Sequence, residues 1–209
     1  SAREGLIPEA IAVALSARFG VGNARFRVSR DEGDMDTVAY GAYRREVFDR
    51  VGLFDERLVR NQDIEFNARL RRAGGRIFMS PTIRSQYYAR PGLAALARQS
   101  FANGKWNVYT LALTGLSLSW RHFVPMAFVA GLLGSGSAAA VSPAFAWVAV
   151  GTGGLYLAAA VAAALAARGV GSLAVRAVLP VVFAVLHVSY GLGSLWGLGT
   201  LWRVWLRGQ

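Results

Sequence analysis

Residues 61–77, NQDIEFNARLRRAGGRI, place an acid at the mouth of a helix and a basic, glycine-terminated end behind it. Asn61 suits an N-cap and Gly74 a helix stop, so the spacing predicts a helix over 61–73 with Asp63 in its first turn. The partial positive charge of the helix terminus and the nearby arginines favour an ionised carboxylate there. A carboxylate so held can take a proton from an attacking hydroxyl. An acid in a first turn can equally do no more than stabilise its own helix, and the segment alone leaves both readings open. Glu65 is the second candidate base, but it faces away from Asp63 and stands i,i+4 to Arg69, the spacing of an ion pair.

The elements around this helix are mixed. Ile11, Ala14 and Leu15 recur with helical spacing and predict a helix over 8–17; 44–51 is a second, short one. Segments 36–43 and 76–79 read as strands, 83–89 as a third candidate, and 31–34 as a polar loop around Gly33. Strands and helices so interleaved predict an α/β layer over 1–120. So few strands fall short of a complete doubly wound domain, and Ser1 is not a natural start, so a missing upstream part is expected.

Composition then changes sharply. Of 209 residues 54% are hydrophobic, and the mean hydropathy of +0.35 is too apolar for one soluble domain. Every acid lies at or before Glu65, and beyond it come arginines and a single lysine, Lys105. Spans 122–141, 143–167 and 177–199 are uncharged, and each reaches the ~20 residues that a helix needs to cross a bilayer. A helical membrane region of about three crossings over 121–209 is therefore expected. Arg121, Arg168 and Arg176 flank the spans, with Trp196, Trp202 and Trp205 near the last exit. The positive-inside rule puts the front half and the Arg168 loop in the cytoplasm and the uncharged loop at Ser135 outside. Three crossings would export a tail carrying Arg203 and Arg207. That tail could instead be interfacial, or the third span re-entrant at Pro180 and the glycines Gly191, Gly193, Gly197 and Gly199.

A net charge of +11 without a dense basic tract points to lipid headgroups and phosphate-bearing ligands rather than nucleic acid. The absence of cysteine excludes disulfides and thiolate metal sites.

The run DTVAYGAYRREVFDRVGLFDERLVRNQDIEFNARLRRAGGRIFMSP resembles the acceptor-side half of family 2 glycosyltransferases with the GT-A fold. The matching elements are Gly41, Arg44 and Arg45, the turn Val51-Gly52-Leu53-Phe54-Asp55-Glu56, Gln62-Asp63, and Ala73-Gly74-Gly75-Arg76-Ile77. FGVGNARFR, RQSFANGKW, RHFVP and HVSYGLG resemble bacterial exopolysaccharide glycosyltransferases of the succinoglycan-biosynthesis kind, which carry C-terminal membrane helices. The chain departs from the pattern at Gln62, often Glu, and at Leu53, often a second glycine. The resemblance implies a partial GT-A domain, acceptor-side half only. It implies inverting transfer from a nucleotide-diphosphate sugar, with Asp63 as general base and Gly41 and Gln62 beside the acceptor. The acceptor expected is a lipid-linked or other glycan at a bacterial inner membrane.

Arg98, Gln99, Lys105 and Trp106 resemble the Gln, Arg, Trp signature that processive relatives carry near the acceptor and the leaving pyrophosphate, where a cation and an aromatic platform offset growing negative charge. The same helix, with Leu93, Leu96, Phe101, Trp106 and Tyr109, also reads as a membrane-surface helix. Arg44 and Arg45 read as solvated helix positions, and His187 as a histidine bonded within a bundle or an intramembrane functional group. The family holds a divalent cation, Mg or Mn, on an Asp-x-Asp of the nucleotide-binding half. Asp34 and Asp36 precede the acceptor-side strand and read as loop acids, so no metal ligand is assigned in this chain. Without its nucleotide-binding half the chain is expected to be inactive. A non-catalytic anchor or assembly subunit, and a small transporter, are the competing classes.

Overall fold

The computed structural model describes residues 5–22, 32–38, 40–83, 88–115, 118–168 and 170–203. Most of strand candidate 83–89, Asn23 and the residues of FGVGNARFR that follow it, Asp31, Trp205 and Arg207 lie outside them. Chain order runs α1 (Leu6–Ala14), α2 (Arg18–Val21), β1 (Gly33–Asp34), α3 (Arg45–Val51), α4 (Gln62–Arg72), β2 (Phe78–Met79) and α5 (Leu93–Thr114). A 3-10 turn (Trp120–His122) leads to α6 (Val124–Ala138), α7 (Ala144–Ala166) and α8 (Leu173–Gly199).

The described front half is helical rather than an α/β layer. Its sheet is one antiparallel ladder of two residues a side, Gly33 opposite Met79 and Asp34 opposite Phe78. Segment 76–79 thus forms part of a strand, whereas the described part of 36–43 has no ladder partner among the described residues.

α4 forms where its end signals place it. Asp63 and Glu65 occupy the first turn and Arg69, Arg71 and Arg72 the last, each complementing the helix dipole. At the far end Gly74 turns to φ +79°, its N–H bonds Arg71 O at 3.0 Å, and Gly75 N–H bonds Leu70 O at 2.9 Å. That pair of bonds is a Schellman stop. Arg50 Nη2, from the last turn of α3, satisfies Ala73 O at 2.9 Å.

α8 is the axis of the molecule, with α1, α5, α6 and α7 packed around it. Ile11, Ala14, Leu96, Ala160, Leu179, Val182 and Phe183 form its core seam, and all are essentially inaccessible. α5 runs alongside α8 in the same direction at backbone contact. A Cβ on Gly193 would lie 2.0 Å from Phe101 O, and one on Gly104 2.0 Å from Tyr190 O. Lys105 meets Gly197 in the same way, and Tyr109 Oη meets Thr200 Oγ1 at 2.7 Å. Small residues let helix backbones approach this closely. Gly191, Gly193 and Gly197 are therefore contact points rather than breaks, whereas Gly199 faces open space, and the helix continues through Pro180 without turning back.

α7 and α8 are long and apolar enough to cross a membrane, whereas α6 has 15 residues. At 1.5 Å per residue α6 spans about 22 Å, short of a ~30 Å hydrocarbon core. The three expected spans thus reduce to two membrane-length helices and one short apolar helix. On α7, Trp147, Val150, Leu155 and Leu165 are exposed, an apolar surface suited to lipid. α7 is antiparallel to α8, with Tyr156 Oη 2.9 Å from His187 Nδ1 and Arg176 Nη1 2.6 Å from Leu165 O. His187 also lies edge-on to Phe19 at 5.2 Å, so its ring joins α2, α7 and α8. This corresponds to the bundle-bonded reading of that residue.

Candidate functional site

Asp63 is exposed at the mouth of α4, and its Oδ1 accepts the N–H of Ile64 at 2.9 Å. Asn61 holds the N-cap position, but its side chain does not cap. It sits at φ +65°, and its Nδ2 donates to Asn107 Oδ1 at 2.7 Å and Thr110 Oγ1 at 3.2 Å on α5. Asn107 Nδ2 in turn hydrogen-bonds the hydroxyl of Tyr190 on α8. Arg60 Nη1 donates to Asn103 Oδ1 at 2.9 Å along the same seam. The mouth of α4 is thus tied through α5 to the C-terminal half of α8.

One turn beyond Asp63 on the same face is Asn67, which is fully buried. Its Oδ1 accepts from Tyr43 Oη at 2.9 Å, and its Nδ2 donates to Thr37 Oγ1 at 2.8 Å. Burial pushes the Tyr43 phenol above its ordinary range, and the neighbouring charge of Asp63 adds to the rise against the opposing Asn67 bond. Tyr43 therefore keeps its proton at neutral pH and stays a donor to Asn67. Its ring packs on Phe66 at 4.8 Å, with Phe48 and Phe54 completing the cluster. Gly41 belongs to this arrangement too, since a Cβ there would lie 2.9 Å from Tyr43 Oη. Tyr43 was not singled out by its sequence context; a hydroxyl-bearing ring two residues after Gly41 is the only signal.

Glu65 takes the ion-pair role. Its carboxylate bonds Arg69 Nε at 2.6 Å and Nη2 at 2.9 Å, while Arg69 also donates to the carbonyls of Val51 and Leu53. The pair clamps the GLFDE turn onto α4. An Asp55–Arg57 bridge at 2.7 Å closes the turn, and the Arg57 guanidinium holds the Asp55 carboxyl below its usual range. Removing one partner of a buried pair strands the other charge. Arg69→Ala is expected to cost about 2–3 kcal/mol, below the fully buried figure because Arg69 keeps 28% side-chain exposure. A thermal melt in detergent measures it.

An open cavity of about 410 Å³ lies behind α4, lined by Leu53, Asp55, Arg57, Glu65, Arg69, Arg72, Leu113 and Thr114. Asp63 is not among its walls. Most of this lining is already engaged in the clamp.

The remaining sequence candidates are dispersed. Gln62 is exposed beside Asp63. Lys105 Nζ lies 5.3 Å over the Tyr109 ring, and Trp106 meets the same ring edge-on at 5.4 Å. Gln99 accepts from Arg90 Nε at 2.7 Å, and Arg98 is exposed next to it. These two lie about 12 Å along the axis of α5 from Asn107, where α4 docks. Leu96 and Tyr109 are buried against neighbouring helices rather than facing outward. Asp34 pairs with Arg76 at 3.0 Å, and Asp36 lies 3.9 Å from Arg121. No group of three or more acids or histidines able to hold a metal is found among the described residues.

The chain is similar to a protein of succinoglycan biosynthesis and to an archaeal glucuronosyltransferase. The succinoglycan biosynthesis protein ExoA of Rhizobium meliloti is 29% identical over 119 residues, 57% of this chain and 36% of the relative. The dolichyl N-acetyl-alpha-D-glucosaminyl phosphate 3-beta-D-2,3-diacetamido-2,3-dideoxy-beta-D-glucuronosyltransferase of Methanococcus voltae is 30% identical over 84 residues, 40% of this chain and 26% of the relative. The matched stretches cover only about a third and a quarter of these curated relatives. No protein-family model matches the chain, and no solved structure matches it.

Proposed function

We propose that the chain is the acceptor-side portion of an inverting, family 2 glycosyltransferase of the GT-A type. It would move a sugar from a nucleotide-diphosphate sugar to a membrane-associated, lipid-linked or glycan acceptor in exopolysaccharide or cell-envelope synthesis. The observation that carries this reading is an exposed Asp63 at a helix mouth whose neighbour Asn61 is bonded to α5, itself packed on a membrane-length helix. The acceptor hydroxyl gives its proton to Asp63 as its oxygen bonds the anomeric carbon. The bond from that carbon to the diphosphate breaks, and the nucleotide diphosphate leaves from the opposite face. A divalent cation would neutralise the leaving group, but Asp34 and Asp36 are turned to arginines and do not fit it. Its ligands belong with a donor-binding half on residues other than these.

The test is transfer from a panel of labelled nucleotide sugars to lipid and glycan acceptors by the full-length protein in membranes. Product of inverted anomeric configuration is expected. If no nucleotide sugar is consumed, the chain is instead an anchor or assembly subunit.

The helix order also supports a membrane arrangement. Arg176 bonds α7 at one end of α8, whereas the Asn107–Tyr190 and Tyr109–Thr200 contacts lie toward the other. From Arg176 to Thr200 is about 36 Å of helix. With α7 and α8 as the two crossings, the mouth of α4 and Arg203 share the cytoplasmic face and the loop at Arg168 lies outside, which reverses the positive-inside placement of that loop, while α1 packs along α8 between the two faces. This removes the exported basic tail that three crossings would require. The cysteine-free chain allows a direct check. Single cysteines at Glu56 and Gly171 should label from opposite sides of the membrane, and labelling from one side would remove α8 as a crossing.

A further inference from the structure

We propose that Tyr43 positions the acceptor. Its phenolic oxygen accepts a hydrogen bond from a hydroxyl adjacent to the one that Asp63 deprotonates, so the site selects a polyol over an acceptor whose attacking oxygen belongs to a phosphate. This inference rests on the glycosyltransferase reading of Asp63.

The argument is one of donors and acceptors. Tyr43 spends its proton on Asn67 Oδ1, and Asn67 is fixed because it is fully buried and donates onward to Thr37. What Tyr43 still offers is lone-pair capacity. An ionised Asp63 likewise only accepts. Asp63 and Asn67 are four residues apart on one face of α4, so the base and the tyrosine that bonds Asn67 address the same side of the helix. Two neighbouring acceptors are complemented by two neighbouring O–H donors, the pattern of vicinal hydroxyls on a sugar. A phosphate oxyanion has no proton to give either group and is repelled by the carboxylate. The ring cannot swing freely, because it is packed in the phenylalanine cluster and Gly41 leaves it only the room it occupies.

The experiment uses full-length protein in membranes, a panel of alkyl glycosides as acceptors, monodeoxy analogues of the best of them, and undecaprenyl phosphate. Tyr43→Phe keeps the ring and removes the hydroxyl. For the parent glycoside it should raise KM about tenfold with kcat within about twofold, the size of one lost hydrogen bond. In the unsubstituted protein, deletion of the hydroxyl next to the reacting one should raise KM by the same factor. In Tyr43→Phe that deletion should add nothing. Gly41→Ala, which displaces the ring without touching its chemistry, should raise KM in the same direction. Undecaprenyl phosphate should be a poor acceptor throughout. The proposal is overturned if Tyr43→Phe still discriminates against the deoxy analogue, if its loss falls on kcat with KM unchanged, or if the phosphate is used as well as the glycoside. Absence of transfer by the unsubstituted protein to every acceptor would overturn the glycosyltransferase reading and this proposal with it, an outcome distinct from the preceding ones.

Discussion

Asp63→Asn is expected to lower the turnover of sugar transfer by about 10²–10⁴-fold while leaving the fold in place. The amide matches the carboxylate in shape and can still accept the Ile64 N–H. It cannot hold the acceptor's proton in the transition state. The ties that orient the helix mouth run through Asn61 and Arg60 instead, and the substitution does not touch them. The loss should therefore fall on kcat, with KM for the nucleotide sugar nearly unchanged, because an interaction made only in the transition state is removed. Steady-state kinetics at matched protein levels, with circular dichroism on the purified variant, separates this from misfolding.

Gly193→Val is expected to have the largest effect on stability. A Cβ at residue 193 would lie 2.0 Å from Phe101 O and within 2.8 Å of Phe101 Cα. Both are backbone atoms inside α5, so no rotamer change relieves the contact and the two helices must part. Overpacking of this kind costs about 3 kcal/mol or more where the obstacle is backbone. Parting α5 from α8 would also stretch the Asn107–Tyr190 and Tyr109–Thr200 bonds that hold the α4 docking face. Stability and transfer should fall together. Gly153→Ala on α7, with nothing within 4 Å of the added carbon, is the control and should melt no lower than the parent. Thermal unfolding in detergent reads both.

Local chemistry was legible in the sequence, and pairing was not. The end of α4 followed from Gly74, and the Glu65–Arg69 pair from its spacing, because both depend on residues within a turn or two. Asn61 marked the start of α4, but its amide reaches Asn107, forty-six residues away, which no local rule supplies. The strand expected over 36–43 failed for a similar reason, since alternation records a capacity to pair and not the partner. Among the described residues only 33–34 and 78–79 pair as strands.

In the apolar C-terminal region, lack of charge measured apolar length but not helix length. The segment read as the first span also carries the non-helical turn before Val124, and α6 ends at Ala138 among small residues. The glycines of α8 looked like breaks because glycine weakens an isolated helix. Against α5 and α6 three of them, Gly191, Gly193 and Gly197, are what permits contact, with Gly191 facing Pro125 O as Gly193 faces Phe101 O. Tyr43 was invisible because its importance arises only when Asn67 and Asp63 are brought beside it.

Two carboxylates stand in the first turn of α4, one exposed and one clamped, and comparing them is the sharpest test. Asp63→Asn and Glu65→Gln should be assayed side by side for transfer and for melting temperature in the same membranes. If Asp63 is the base, the first variant loses turnover and keeps its melting temperature, whereas the second melts earlier and still transfers sugar at a comparable rate when folded. The reverse pattern, full turnover in Asp63→Asn and none in folded Glu65→Gln, would move the chemistry to the cavity behind α4 and contradict a base at the helix mouth.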